Sequence, residues 1–448
     1  MALKRVLTLR TVVATSAGLT LASSCFVAAV LVANYVAGDS AWLAILVGGA
    51  LCLLSAACFG ELNGMFPSAA GLRLYLTHAF NERLALIVSL LYMAVVTGVI
   101  GTESYVLSHA ITRAIPGIPP IFWILSLFII AALLNIRGVK IAGNFQDVIT
   151  YGLMVSLFFL GIASFARFGF DLTTPLSPGS AESFIYAVAA GVFLYVGFEW
   201  VTPLAEEVTH IRLISRGMLV AIGLLSVTYA LFTVGMSHAV PKAVLYASPA
   251  PQMEFGARLF GLPGIYLMLV ISLAASVTTF NAGLLSVSRF IYASAREAVL
   301  PHFFSRLSSR YFTPYIAIIA VFIFGVAITV AILLTGRYKV LVMMAAAMEA
   351  VVYSLVGVAV VVLRCRQPEA DRPYRAGRGR AIPALSAVVF AGLAAAVLVE
   401  NRGAAIGLGS GLVLTTAYVY SAVPYLRRRR EDRRRQKRAA ARTRLKTQ

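Results

Sequence analysis

The chain has 448 residues, of which 60% are hydrophobic and only 12% are charged, with a formal net charge of +20. Soluble globular proteins carry roughly 45–50% apolar and about 25% charged residues. This composition excludes a cytosolic enzyme, a secreted disulfide scaffold and a disordered protein, and it indicates a chain that is solvated by the bilayer. The apolar residues form long continuous runs instead of short alternating segments, which predicts an all-α polytopic membrane protein.

Twelve apolar runs have the length of roughly 20 residues that one crossing of the bilayer needs. They lie near residues 12–36, 41–63, 84–108, 119–136, 146–166, 183–204, 214–237, 264–288, 314–335, 340–363, 381–399 and 404–425. The longest gap between runs, 238–263, contains four prolines. It predicts an external loop with a short helix.

The positions of Lys and Arg predict the orientation of these spans. With the N-terminus inside, 31 of the 38 basic residues fall on the cytoplasmic side. The other seven lie in external loops: Arg113, Arg167, Lys242, Arg258, Arg337, Lys339 and Arg402. Because basic residues accumulate on the cytoplasmic side, we expect a multi-pass protein of the cytoplasmic (inner) membrane with both termini in the cytoplasm.

The same pattern divides the chain into five segments. We expect a cytoplasmic N-terminus (1–11), a ten-helix transport core (12–363, with repeats of about 12–166 and 183–363), a basic cytoplasmic loop (364–380), helices 11 and 12 (381–425) and an Arg-rich cytoplasmic tail (426–448). The tail holds twelve Lys and Arg residues between Arg427 and Lys446, without interleaved aromatic residues. That composition favours contact with anionic lipid headgroups over nucleic-acid binding.

Two spans contain stretches that favour an interrupted helix. The first runs from Thr15 to Ser24 and consists mostly of small and hydroxyl residues; the second runs from Gly191 to Trp200 and contains Gly197. They open two consecutive blocks of five spans, as expected for an inverted repeat with paired broken helices around a midplane site. For span 1 alone, small residues that allow close helix packing are an equally good explanation.

Three carboxyl groups lie inside apolar runs: Glu103 in span 3, Glu199 in span 6 and Glu349 in span 10. Ionisable groups within the membrane are functional-site candidates. Each is a candidate for proton coupling, for pairing with a cationic substrate, or for a hydrogen bond to a neighbouring helix. Glu199 is the leading candidate because it follows the expected break in span 6.

Span 8 is polar near its middle, where it carries Ser276, Thr278, Thr279 and Asn281. These side chains are suited to a substrate or sodium site, although hydroxyls inside a helix more often bond to their own backbone. No Asp accompanies them, and hard cations prefer carboxylate oxygens. We therefore expect no metal site.

Five sequence motifs, in order, resemble those of the amino acid–polyamine–organocation (APC) family. Span 1 reads GLTLASSCF over residues 18–26, similar to G-x-x-I-G-S-G-I-F. The later matches are EL at 61–62 with PSAAG at 67–71 and Tyr75; YVGFE at 195–199 with AEEV at 205–208; NA at 281–282, SR at 288–289 and AREAVLP at 295–301; and PEADRPYR at 368–375. The resemblance covers nearly the whole chain.

The resemblance implies a five-plus-five inverted repeat and transport by alternating access. It implies that the backbone at the break in span 1 binds the carboxylate of a substrate, and that the break in span 6 binds its amino group and gates the site. The expected substrate-binding residues are Ser16, Gly18, Ala22, Ser23, Ser24, Tyr195, Gly197, Phe198, Glu199 and Asn281.

The sequence departs from the family pattern at several positions. Ala22 and Ser24 replace two glycines of the span 1 motif, which makes the backbone less open to a carboxylate. Many proton-coupled members have a Lys three residues after a Thr in span 5, whereas here Thr150 is followed at that spacing by Leu153. Lysine-based coupling is therefore disfavoured, and coupling by a carboxyl group stays open.

Together these features predict a secondary transporter of amino acids or related amines, either proton-coupled or an exchanger. A polyamine or organic-cation transporter of the same fold is the alternative, and a channel or sensor is less favoured. Five scattered histidines argue against a membrane enzyme, and the sequence has no nucleotide-binding P-loop. We expect a small-molecule substrate and membrane lipids as partners, no nucleic acid and no cofactor.

Overall fold

A computed structural model describes residues 5–35, 40–169 and 180–446. Within these ranges the chain is helical, apart from turns and a β-bridge between Leu7 and Val208. The helices that form spans 1 to 6 are 1a (Leu9–Thr20), 1b (Ser24–Tyr35), 2 (Ala41–Met65), 3 (Glu82–Ala114), 4 (Pro120–Arg137), 5 (Val139–Phe168), 6a (Ala181–Phe193) and the 3₁₀-helix 6b (Phe198–Glu206). Those of spans 7 to 12 are 7 (Arg212–Ala239), 8 (Leu262–Arg296), 9 (Tyr315–Thr335), 10 (Tyr338–Arg366), 11 (Ala381–Glu400) and 12 (Arg402–Lys446).

The span count confirms the predicted polytopic architecture. Eleven helices of the described chain are long and apolar enough to cross a membrane, and the bent pair 1a and 1b makes a twelfth span. The connection between spans 7 and 8 contains two short helices, Lys242–Ala247 and Pro251–Phe260, where the sequence predicted one. Pro251 begins the second of them, where its missing N–H costs nothing.

Both predicted breaks are present, in spans 1 and 6. Helices 1a and 1b meet at 64° across the three residues Leu21–Ser23. Helix 6a ends at Phe193 and is followed by turns up to Gly197, whose φ of +106° lies in the left-handed region that glycine adopts readily. Helix 6b contains Pro203, which has no N–H to donate, and it continues as a 3₁₀-helix.

Both ends of the described chain lie on one face of the helix bundle. Near the N-terminus, the backbone N–H groups of Val6 and Leu7 donate to the carbonyl of Glu207, at 2.8 and 3.0 Å. Near the C-terminus, the Arg430 guanidinium donates to the carbonyl of Arg296 at 2.6 Å. We call this the terminal face, and the other side of the bundle the opposite face.

The predicted tail begins as a direct continuation of span 12. Helix 12 runs without interruption from Arg402 to Lys446. Its Arg427 forms an exposed ion pair with Glu82 at the start of span 3. The first turn of the tail is thus docked on the terminal face.

Candidate functional site

A cavity of about 320 Å³ enters the bundle from the opposite face, between spans 1b, 3, 6a, 10 and 11. Its mouth carries the exposed residues Tyr246, Lys339 and Glu400. Its deep end reaches the broken helices and is lined by Ser24, Thr102, Phe193 and Ala346. Lys339 is the one basic residue among the described lining residues, and it lies at the mouth.

The break in span 1 lies directly behind this deep end, and a carboxylate of the protein already occupies it. The backbone N–H of Ser23 donates to Glu103 Oε1 at 2.9 Å, and that of Ser24 donates to Oε2 at 3.0 Å. The hydroxyl of Ser276 also donates to Glu103 Oε1. Glu103 thus accepts hydrogen bonds from three donors in a fully buried position.

Several other backbone groups at this break are also paired. The next two N–H groups of helix 1b, those of Cys25 and Phe26, donate to the carbonyls of Ala22 and Ser23 at 3.0 and 3.2 Å. On the other side of the break, the carbonyl of Thr20 accepts from the Tyr229 hydroxyl at 2.7 Å. The four N–H groups from Ser23 to Phe26 therefore all have partners within the protein.

The break in span 6 is held by aromatic residues. The Tyr195 hydroxyl lies 3.0 Å from both the carbonyl of Ile45 and the hydroxyl of Ser226, so it ties this break to spans 2 and 7. Phe198 is buried, and its carbonyl accepts a hydrogen bond from the Ser16 hydroxyl at 2.8 Å. This bond joins the two broken spans directly.

Two of the predicted acids, Glu199 and Glu349, meet around two tyrosines. The Tyr92 hydroxyl of span 3 contacts Glu199 Oε1 and lies 2.7 Å from Glu349 Oε2. The Tyr353 hydroxyl donates to Glu199 Oε2 at 2.6 Å. All four side chains are at least 96% buried, and their hydrogen bonds include no basic partner among the described residues. We call these four residues the acid cluster.

Counting hydrogens shows that the acid cluster must hold a proton. A tyrosine hydroxyl has one hydrogen to donate and otherwise accepts. Tyr92 contacts two carboxyl oxygens, so at least one of its two hydrogen bonds needs a proton supplied by Glu199 or Glu349. The other oxygen of Glu349, Oε1, is buried without a hydrogen-bond partner in the described chain, which leaves it a site for an added proton or donor.

The sequence indicated the two acids of this cluster, but the two tyrosines were not among the predicted site residues. Helical spacing provides the signal, since residues four positions apart lie on one face of a helix, as do residues eleven apart. Tyr353 follows Glu349 by four positions, and Tyr92 precedes Glu103 by eleven. Each tyrosine thus lies on the same helix face as an acid that the sequence predicts to be functional.

Asn281 and Gly18, both predicted to bind substrate, lie in a buried amide network. Asn281 accepts from Asn135 at 2.8 Å and donates to Gln146 Oε1 at 2.7 Å, which connects spans 4, 5 and 8. Gly18 faces the same group: a Cβ there would lie 1.7 Å from Gln146 Nε2. Of the ten predicted substrate-binding residues, Ser24 lines the cavity, and the roles of all ten stay predictions.

Leu153, which replaces the expected lysine in span 5, packs against the break in span 1. It surrounds a narrow gap with Leu21, Ala22 and Ala275. Its side chain is buried. The position therefore contributes apolar packing.

The sequence motifs near the helix ends meet as ion pairs on the terminal face. Glu207 pairs with the fully buried Arg289 at 3.1 Å, and Glu206 with Arg296 at 2.7 Å. Burial raises the pKa of the Glu207 carboxyl, and the Arg289 guanidinium opposes this rise. The remaining pairs are Glu61 with Arg364, Glu61 with Arg372 and Arg73 with Glu297. These bonds close the terminal face across spans 2, 6, 8 and 10.

Twelve spans, two of them broken and in contact, together with a cavity that reaches the breaks, define a polytopic helical membrane protein. The profile of the family Amino acid permease matches residues 7–422. The chain belongs to this family, which confirms the resemblance found in its motifs.

Several characterised transporters are similar to this chain. The Asc-type amino acid transporter 1 of Mus musculus is 25% identical over 350 residues, covering 73% of this chain and 64% of the relative. The methylthioribose transporter of Bacillus subtilis (strain 168) is 24% identical over 395 residues, covering 83% of each. The mitochondrial cationic amino acid transporter 3 of Arabidopsis thaliana is 25% identical over 337 residues, covering 69% of this chain and 54% of the relative.

Proposed function

We propose that this protein is a secondary transporter that moves amino acids or related amines by alternating access and couples this movement to protons through the acid cluster. The observation that carries the proposal is the buried pair Glu199 and Glu349, which shares the Tyr92 hydroxyl and must hold a proton. The family and its relatives support transport, and the acid cluster supports proton coupling.

The arrangement of open and closed faces supports alternating access. The cavity opens to the opposite face, whereas ion pairs close the terminal face. An inward movement of substrate requires these ion pairs to separate while the cavity mouth closes. The bias of Lys and Arg supports a cytoplasmic location of the terminal face, and in this proposal the described state is open to the outside of the cytoplasmic membrane.

The position of the acid cluster supports coupling between substrate and proton. Ala346 lines the deep end of the cavity, and Glu349 follows it by three residues on the same helix. Glu349 therefore lies about one helical turn beyond the deep end. Glu199 lies on helix 6b, just after the break. A cation bound near the break favours the ionised form of a carboxyl group, so binding and release of a proton are linked at this place.

Purified protein in liposomes tests transport and coupling. We expect counterflow, in which unlabelled internal substrate drives uptake of labelled external substrate, and we expect an imposed pH gradient to drive uptake above equilibrium. A channel would equilibrate label without counterflow. Glu199→Gln keeps the shape of the side chain but cannot ionise, so it should flatten the pH dependence of transport.

Glu182→Gln is the matched control, because Glu182 is an exposed acid at the start of helix 6a. It should leave the pH profile unchanged. Active transport by Glu199→Gln with the same pH profile as the native protein would contradict coupling through the acid cluster. An exchanger would show counterflow without any response to the pH gradient.

A further inference from the structure

We propose that the substrate is a cationic amine that lacks a carboxylate, because Glu103 already binds the backbone N–H groups at the break in span 1 that a substrate carboxylate would need. This inference rests on the proposed transport function and narrows its substrate class. It follows from the contacts at the break in span 1 and from the charges around the cavity.

The donors at the start of helix 1b are already occupied. An N-terminal helix end attracts an anion through its free N–H groups and its dipole. Here Glu103 accepts from Ser23 and Ser24 with one oxygen each, at 2.9 and 3.0 Å. The next two N–H groups are bound within the turn. None of the four backbone N–H groups from Ser23 to Phe26 is therefore left for a substrate carboxylate.

A substrate carboxylate would have to compete with Glu103 for these donors. Glu103 is attached to span 3, so its effective concentration at the break is far above that of any dissolved carboxylate. A substrate would have to displace two backbone hydrogen bonds and the bond from Ser276. Hydrogen bonds to charged groups are stronger than those between neutral groups. Displacement therefore disfavours an amino acid relative to an amine of the same side chain.

The charges around the deep end of the cavity favour an amine. Helix 6a ends at Phe193, which lines the deep end of the cavity, and a helix C-terminus carries partial negative charge. The acid cluster lies about one turn beyond Ala346 on span 10. Lys339, the one basic residue that the described part of the chain contributes to the lining, is at the mouth. The deep end is thus suited to a cation.

The substrate experiment compares amino acids with their decarboxylation products in counterflow on liposomes that contain the full chain. Suitable pairs are arginine and agmatine, lysine and cadaverine, and phenylalanine and phenethylamine, since each pair differs only by the carboxyl group. We expect the amine to exceed the amino acid by about tenfold or more in apparent affinity for at least one pair. A preference for the amino acid in the pairs that are transported would overturn the inference. Counterflow by no compound in the panel would instead count against the proposed function.

A second experiment tests the occupied position without any substrate. In Glu103→Ala the N–H groups of Ser23 and Ser24 lose their partner, and added acetate can fill the space. We expect acetate to raise the thermal unfolding temperature of Glu103→Ala in a concentration-dependent way and to leave the native protein unchanged. Ser276→Ala is the control, because it removes a donor and keeps the carboxylate; it should not respond to acetate.

Glu103→Gln covers the case in which Glu103→Ala fails to fold. The amide keeps the volume of the side chain, but its NH₂ group cannot accept from a backbone N–H. We expect the preference for the amine to fall at least threefold in this variant. An unchanged preference in Glu103→Gln, or an equal response to acetate in the native protein and in Glu103→Ala, would contradict the proposed role of Glu103.

Discussion

Tyr92 links residues of three spans through a single hydroxyl group. It lies on span 3 and reaches Glu199 on helix 6b and Glu349 on span 10. Without this hydroxyl the two carboxyl groups would have to share their proton directly or repel each other. The protonation of the pair therefore depends on a hydroxyl group that a third span supplies.

Tyr92→Phe should retain the fold and change the pH dependence of transport. The ring still packs against Trp200, whose centroid is 5.0 Å away, while the shared hydrogen bond is lost. We expect the midpoint of the pH profile to move by about one unit, which corresponds to about 1.4 kcal/mol. The measurement is uptake into liposomes across a range of pH values.

Tyr418→Phe is the control for this prediction. Its hydroxyl donates to the carbonyl of Val299 at 2.9 Å, away from the acid cluster. It should leave the midpoint in place. If Tyr92→Phe also leaves the midpoint unmoved, the bridge between the two acids has no part in coupling.

Among the helical elements, the break in span 6 depends most clearly on one residue. Gly197 has a φ of +106°, and a Cβ there would lie 2.8 Å from Leu19 of helix 1a. Both the backbone conformation and the contact between the two broken spans therefore disfavour a side chain at this position. The conformation of this break therefore depends on the glycine at position 197.

We expect Gly197→Ala to destabilise the protein by about 1–3 kcal/mol, the usual cost of a residue in a strained backbone region. It should also slow transport, since Leu19 has to move away. Thermal unfolding of the purified protein and initial uptake rates measure the two effects. Gly223→Ala in span 7 is the control, because nothing lies within 4 Å of a Cβ there; equal behaviour of the two variants would show that the break tolerates a side chain.

The sequence predicted the spans and the breaks well, because both depend on local composition. Apolar length identifies a span, and small residues with Gly197 identify a break. It could not predict the partners of the acids, which depend on how distant helices face each other. Glu103 was grouped with Glu199 and Glu349 as a coupling candidate, yet it lies at the break in span 1 while the other two share Tyr92.

At the scale of the whole molecule, the terminal face is closed by pairs of charged residues drawn from the sequence motifs. The pair Glu207 and Arg289 is the most deeply buried of them, at 1% and 0% side-chain exposure. Removing one partner of a buried ion pair leaves an uncompensated charge and costs about 3–5 kcal/mol. The closed state of this face should therefore weaken strongly when Glu207 is neutralised.

We expect Glu207→Gln to shift the protein toward a state open at the terminal face. Cys58, which is buried in span 2 near this face, should then react faster with a maleimide in a Cys365→Ser background that removes the exposed thiol. Glu82→Gln is the control, since it breaks an exposed pair on the same face. Equal labelling rates in both variants would rule out the proposed gate.

The bond between Glu103 and the break in span 1 has a consequence for the biogenesis of the protein. Ser23 is synthesised 80 residues before Glu103, a delay of roughly 4–16 s at about 5–20 residues per second. During that interval the N–H groups of Ser23 and Ser24 have no partner, and an unsatisfied backbone group in lipid costs several kcal/mol. Span 1 should therefore stay beside the insertion machinery until span 3 arrives, and span 3 should complete the insertion of span 1.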